Sequence, residues 1–343
     1  MRVFDYSRAA DAATAVSSYA DSSVLRDPPD VSAPTQYLAG GTTLLDLMKL
    51  DVMRPARVIE INSFQRNKAD IVFSDGGLRL GAMTRMAQAA DHPQVREAFP
   101  VLAQSLQLAA SAQIRNMASL GGNVLQRTRC SYFRDTSYPN CNKRAPGSGC
   151  AALEGFNRQH AVLGTSESCI ATYPGDFSQA LLALEALVDL TGPLGSRTIP
   201  FAELHRAPQH TPNIETTLKP GELITAFTIP AMPWARRSLY LKIRDRESYE
   251  FALASVAIAL DFDGQQVRHA RIALGGVATV PWRATDAETA LTGQPLSDET
   301  IVRAADVAFA RAQPREHNAF KIELGKRTLR RAIREAAALE VPT

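Results

Sequence analysis

All four cysteines of the chain fall within one stretch of forty residues, at Cys130, Cys141, Cys150 and Cys169. Thiolates bind metals and act as nucleophiles, so their confinement raises the question of what one segment needs with every sulfur nucleophile in the protein. The spacing is C-x10-C-x8-C-x18-C. Zinc ribbons and fingers use tight C-x2–4-C pairs, and bacterial ferredoxins use C-x2-C-x2-C; neither pattern is present. Widely spaced thiolates can still hold a four-iron cube, because each iron takes one thiolate. The intervening residues supply Arg127, Arg129, Arg134, Lys143, Arg144, Arg158 and His160. Cations beside an anionic cluster stabilise it and raise its reduction potential. "APGSGC" adds glycines that would let backbone amides approach sulfur. Local chemistry leaves three readings open: an iron–sulfur cluster, a structural zinc, or unligated or disulfide-bonded thiols. His160 could hydrogen-bond near a cluster, and its default reading is a surface histidine.

Two glycine motifs offer a second kind of chemistry. "LAGGTTLL" (38–45) puts Gly40 and Gly41 between a strand end and a helix start. Glycines there admit close approach, and successive N–H groups favour an anion. It is neither a Walker loop nor a Rossmann fingerprint, and an ordinary turn is the competing reading. "QIRNMASLGGNVL" (113–125) gathers Asn116, Ser119, Gly121, Gly122 and Asn123, a set that also suits a helix C-cap.

These segments need elements to position them. Periodicity predicts a helix over 8–20, a strand–turn–helix over 36–50, a strand over 56–62 and a hairpin over 69–83 turning at Asp75-Gly76-Gly77. Helices are predicted over 84–90 and 93–112, and a helix running into a strand over 174–192. Asp176 near the start of the latter suits a positive helix end. "PAMPWARR" breaks the pattern near 231–237. Beyond it an antiparallel sheet, with a turn at Asp263-Gly264, precedes helices over 297–312 and 317–340. The class is α+β with mixed sheets, in at least two domains. Apolar residues are 45% and charged residues 21% of the 343, with a net charge of +3. That balance is ordinary for a soluble globular protein and argues against nucleic-acid binding. "MRVFDYSRAADAATAV" has no apolar signal core, and no later run is long enough for a membrane span.

Taken in order, "AGGTTLLDLMK", "LRLGAMT", "QIRNMASLGGNV", "PGDFSQALLALEA", "KPGELITAFTIP" and "LYLKIRDRESYEFALASVAIAL" resemble the FAD-binding subunits of the molybdenum hydroxylases, the xanthine dehydrogenase and carbon monoxide dehydrogenase family. Most such subunits run from "GGN" almost directly into "P-x-x-D". Here residues 126–172 intervene, carrying all four cysteines. That insertion resembles the branch with an extra [4Fe–4S] cluster, and is especially similar to the flavin subunit of bacterial periplasmic aldehyde oxidoreductase.

The resemblance implies a two-lobed FAD-binding domain of the vanillyl-alcohol-oxidase/PCMH type and a C-terminal α+β domain. Residues 1–60 and 61–230 would form the lobes, with the insertion in the second, and 237–343 the last domain. It implies that Tyr37, Leu38, Ala39, Gly40, Gly41, Thr42, Thr43 and Leu44 form the pyrophosphate loop. Ala110, Ile114, Ala118, Ser119, Gly122 and Asn123 would form the opposite wall. Asp176 would meet the adenosine side of FAD, Leu223 and Ile224 would lie near the flavin, and Lys242 near the polar edge of its ring. Cys130, Cys141, Cys150 and Cys169 would hold the cluster. Two positions depart from the family: Ala109 replaces a common aromatic, and Thr43 replaces an acid found in NAD-reducing relatives.

The function implied is an oxidoreductase subunit. A large partner with a molybdenum cofactor would oxidise an aldehyde to a carboxylic acid. A small partner with two [2Fe–2S] clusters would carry electrons to FAD here and on to an external acceptor. The alternatives are a flavin subunit of a ferredoxin-driven aromatic thioester reductase and, from another class, a zinc-holding scaffold. The chain shows no export signal, so it would be cytoplasmic or exported with a partner.

Overall fold

The computed structural model describes residues 1–20, 31–64 and 70–341. Its first sheet has three parallel strands, β1 (Asp5–Arg8), β2 (Thr35–Leu38) and β3 (Arg57–Glu60), in the order β1-β3-β2. Parallel neighbours need crossovers. The helices Ala12–Ala20 and Leu44–Lys49 lie in the connections. Residue 8 therefore ends a strand and not a helix, because Asp5–Arg8 pairs in register with Arg57–Glu60. Ile59 and Ala15 are fully buried at this lobe's centre.

The second sheet is antiparallel, with β4 (Ile71–Ser74), β5 (Gly77–Gly81), β6 (Leu187–Gly192), β7 (Gly195–Pro200) and β8 (Leu223–Pro230) in the order β4-β5-β8-β6-β7. The first residue of the expected 69–83 hairpin lies outside the described residues. The helices Met86–Asp91, Pro93–Ala98, Pro100–Gln107 and Phe177–Ala183 share this lobe's apolar core. The helix expected over 93–112 is broken at Phe99, whose φ of −137° and ψ of 64° are not helical. A residue before proline is pushed out of the α region, and Pro100 then starts the next helix. Ala110, at φ 49°, is left-handed and keeps that helix from reaching 112.

The third sheet, order β12-β11-β10-β9, comprises β9 (Ser238–Ile243), β10 (Ala254–Asp263), β11 (Gln266–Gly275) and β12 (Trp282–Arg283). The β10–β11 turn uses Gly264 at φ 60°. The helices Thr285–Leu291, Asp298–Ala308 and Phe320–Ala337 complete the domain; the first was not foreseen, and the other two are shorter than expected. Leu329 and Ile333 of the last helix are fully buried in this core. The Tyr240 amide donates to Gln104 Oε1 at 2.8 Å, stitching β9 to the second lobe. No helix among the described residues is long and apolar enough to cross a membrane.

Candidate functional site

The two glycine motifs, far apart in sequence, meet backbone to backbone. A β-carbon on Gly40 would lie 2.1 Å from the Met117 carbonyl oxygen. Gly41, at φ 75°, makes the turn into the helix Leu44–Lys49. Asn62 and Arg85 brace this junction. Asn62 Nδ2 donates to Ala39 O at 2.8 Å, Arg85 Nη2 donates to Asn62 Oδ1 at 3.2 Å, and Arg85 Nη1 donates to Met117 O. Neither residue carries a local sequence signal, because both act through contacts with distant chain.

Beside the junction a cavity opens, with about 1790 Å³ of space including the part open to solvent. Tyr37, Ala39, Gly40, Gly41, Thr42, Thr43 and Leu44 line it, opposite Ser119, Gly122, Leu223 and Ile224. The amides of Gly40, Gly41, Thr42 and Thr43 have no acceptor among the described residues. Free amides leading into the N-terminus of a helix, in a loop where glycines admit close approach, suit an anionic ligand. In the second motif the donors are satisfied internally. The amides of Leu120, Gly121 and Gly122 go to Thr84 O, Ala82 O and Ser119 Oγ. That motif is a wall more than a donor set. The Tyr37 hydroxyl donates to Gly221 O at 3.0 Å, tying the loop to the start of β8, and its burial pushes the phenol pKa up.

Leu38, Ala110, Ile114, Ala118, Asn123, Asp176 and Lys242 do not line this cavity. Leu38 and Ile114 pack against the cores of their lobes. Asn123 Nδ2 lies 3.4 Å from Met86 Sδ. Asp176 begins the helix Phe177–Ala183 without a side-chain cap. Its carboxylate instead accepts from the Tyr240 hydroxyl at 2.6 Å and from Lys242 Nζ at 2.8 Å. Lys242 Nζ also donates to Leu108 O at 3.0 Å. The side chains of this pair are 5% and 1% exposed, so each is the other's counter-charge in a dry setting.

The cysteine segment folds as the short helix Ser131–Arg134 followed by irregular chain. Cys130, Cys141, Cys150 and Cys169 all border one small cleft, with about 280 Å³ of space including the part open to solvent. None is in a disulfide. Among the described residues no three His, Cys, Asp or Glu side chains close on one point as a single ion requires. Burial pushes the Cys130 thiol up to about 12. A hydrogen bond with Cys169 draws the Cys150 thiol down and pushes Cys169 up. His160 is not a surface residue: it is 4% exposed, and its Nε2 lies 3.1 Å from Cys130 Sγ. Burial lowers its pKa to about 4, so the ring is neutral at pH 7.

The surrounding cations are less free than the sequence suggested. Arg129 and Arg134 both reach Asp46, Arg158 pairs with Asp245, and Arg144 donates to Asp135 O. The glycines also serve another end. The Gly147 and Gly149 amides donate to Asn142 Oδ1, each at 3.0 Å, and both residues need positive φ, at 85° and 95°. They shape a turn around Asn142 and do not aim amides at sulfur.

The two cavities share a wall, since Lys143, Cys169 and Ala171 border both. Lys143 Nζ donates to Glu215 Oε1 at 2.6 Å and to Pro212 O at 3.1 Å. Arg127 Nη1 lies 2.9 Å from Glu215 Oε2. Glu215 is not visible as functional in the sequence; its place against Lys143 and Arg127 depends on long-range folding.

Residues 2–232 match the family described as the FAD binding domain in molybdopterin dehydrogenase, and residues 239–336 match the CO dehydrogenase flavoprotein C-terminal domain. The chain is 48% identical over 306 residues to the aldehyde oxidoreductase FAD-binding subunit of Escherichia coli K12, covering 88% of this chain and 92% of that one. It is 26% identical to the carbon monoxide dehydrogenase medium chain of Hydrogenophaga pseudoflava, over 90% of this chain and 91% of that one. A solved carbon monoxide dehydrogenase from the same organism superposes with a TM-score of 0.74 at 26% identity, covering 98% of each chain.

Proposed function

Because this chain belongs to the family of FAD-binding subunits of the molybdenum hydroxylases, we propose that it is the flavin and iron–sulfur relay of an aldehyde-oxidising complex. The observation that carries this reading is the shared wall: Cys169 and Lys143 border both the glycine-lined cavity and the cysteine-lined one. The donor sets fit the two groups. Unpartnered amides at Gly40, Gly41, Thr42 and Thr43 suit a pyrophosphate, and the slot between Ser119, Gly122, Leu223 and Ile224 suits a flat, largely apolar ring system. Four thiols bordering one space fit a cube whose irons each take one thiolate. When bound, the two groups would supply a two-electron and a one-electron carrier. These would accept electrons that a molybdenum-cofactor subunit takes from an aldehyde and a [2Fe–2S] subunit passes on, and would release them to an external acceptor. The name of the 48% relative supports an aldehyde over a thioester as the substrate class.

The chain's own residues have distinct parts in this proposal. The loop from Tyr37 to Leu44 holds phosphate oxygens through main-chain donors, and Asn62 and Arg85 keep it pressed on Met117. Ala110, Ile114, Ala118 and Asn123 support the opposite wall from behind. Asp176 and Lys242 reach the cofactor through the elements they brace, the helix Phe177–Ala183 and β9. His160, with Nε2 3.1 Å from Cys130 Sγ, would donate to that sulfur as a thiolate. Metal and flavin analysis of the anaerobically purified complex tests the reading. About four irons beyond those of the small partner, and one FAD, are expected per chain. Flavin with zinc, or with no added iron, would remove the cluster from the proposal. A well-folded chain with neither would overturn it.

A further inference from the structure

The wall of the larger cavity is ionic where Lys143 joins it to the cysteine cavity. Lys143 and Arg127 both contact Glu215, giving two cations and one anion in a partly buried wall. Burial pushes the Glu215 carboxyl up, but Lys143 and Arg127 beside it outweigh this and hold it below the usual carboxylate range. The Pro212 carbonyl is the second acceptor that fixes the Lys143 ammonium, at 3.1 Å.

Building on the relay reading, we propose that Lys143 is a positioning residue common to both sites, its ammonium clamped by Glu215 beside Cys169 so that one fixed positive charge acts on the cysteine cavity and the flavin cavity together. The role is electrostatic, and no bond forms or breaks. Each electron that arrives at either site adds negative charge, and a fixed cation in the common wall favours the reduced state of both. Glu215 has the opposite sign and tempers the effect while holding the cation in place.

The test is a potentiometric titration of the purified holo-complex with dithionite. The cluster is followed by electron paramagnetic resonance and the flavin by bleaching of its visible bands. Lys143→Met should lower both potentials, Glu215→Gln should raise both, and Lys143→Arg should leave both near the wild-type values. Opposite shifts from two neighbouring substitutions are not what a merely structural wall would give. The inference falls if neither variant moves either potential, if both move them the same way, or if only one site responds. Iron content separates this failure from that of the underlying reading. A wild-type complex without cluster iron would overturn the relay itself, whereas normal iron and FAD with unmoved potentials would overturn only the role of Lys143. Should Lys143→Met lose iron, the Arg and Gln variants still decide the matter.

Discussion

Gly40 and Asp176 show two ways a single residue can be fixed by its surroundings. Gly40 has no room for a side chain, since the Met117 carbonyl would sit 2.1 Å from any β-carbon. Gly40→Ala should therefore push the loop 39–44 off its support. Asp176 is fixed by charge. Its sequence position suggests a helix cap, yet its oxygens are taken by Tyr240 and Lys242. Removing one partner of a buried pair leaves the other charge uncompensated, which costs about 3 kcal/mol or more. Asp176→Ala should lower stability by that amount in urea denaturation at constant FAD. The double variant with Lys242→Met should recover part of the loss. An unchanged midpoint in the single variant would mean that water reaches the ammonium despite its 1% exposure.

At the level of elements, the last helix, Phe320–Ala337, does more than cover the C-terminal sheet. Its buried Lys321 donates to Gln159 O at 3.0 Å, His160 O at 3.1 Å and Gly276 O at 2.7 Å. One ammonium thus ties the cysteine segment to the helix and to the end of β11. Burial lowers its pKa to about 7, a sign of how dry the site is. Lys321→Met would leave three carbonyls without their donor. The expected loss is about 3 kcal/mol, given the cost of orphaned buried acceptors. Amide exchange should rise selectively over residues 157–172, because those carbonyls anchor the segment. Uniform exchange across the chain would argue that the helix docks without the lysine. Elements were partly legible beforehand. The β10–β11 hairpin was readable because Asp263-Gly264 separates two apolar alternating runs. The break at Phe99 was readable in principle from Pro100, but the apolar spacing on both sides concealed it.

For the molecule as a whole, the cavity is built from both lobes. Loop 39–44 comes from the first, and Ser119, Gly122, Leu223 and Ile224 come from the second. A ligand bridging them should stabilise the pair. Free FAD at about a hundred times its dissociation constant contributes about 2.7 kcal/mol to the folded state. For a chain of this length that is about 4 °C in Tm. Deflavinated protein should show this rise on adding FAD and none on adding riboflavin, which lacks the pyrophosphate that the loop amides would hold. A Tm indifferent to FAD would count against this cavity as its site.

Chemistry that depends on neighbours in sequence could be read from the sequence. Glycines at 40 and 41 mark a strand-to-helix turn, the clustered cysteines mark one inserted segment, and the joint order of motifs marks the family. What required the tertiary structure is everything set by contacts across long stretches of chain. The meeting of Gly40 with Met117, the pairing of Asp176 with Lys242, the burial of His160 and the ionic wall of Lys143, Glu215 and Arg127 all join residues with no periodic or local relation. Charge pairing shows the reason most plainly. Arg127, Arg134 and Arg158 look free in sequence, yet they find Glu215, Asp46 and Asp245 far along the chain, whereas Arg144 donates to Asp135 O within its own segment. Sequence supplies the charge; only folding decides which opposite charge lies within reach.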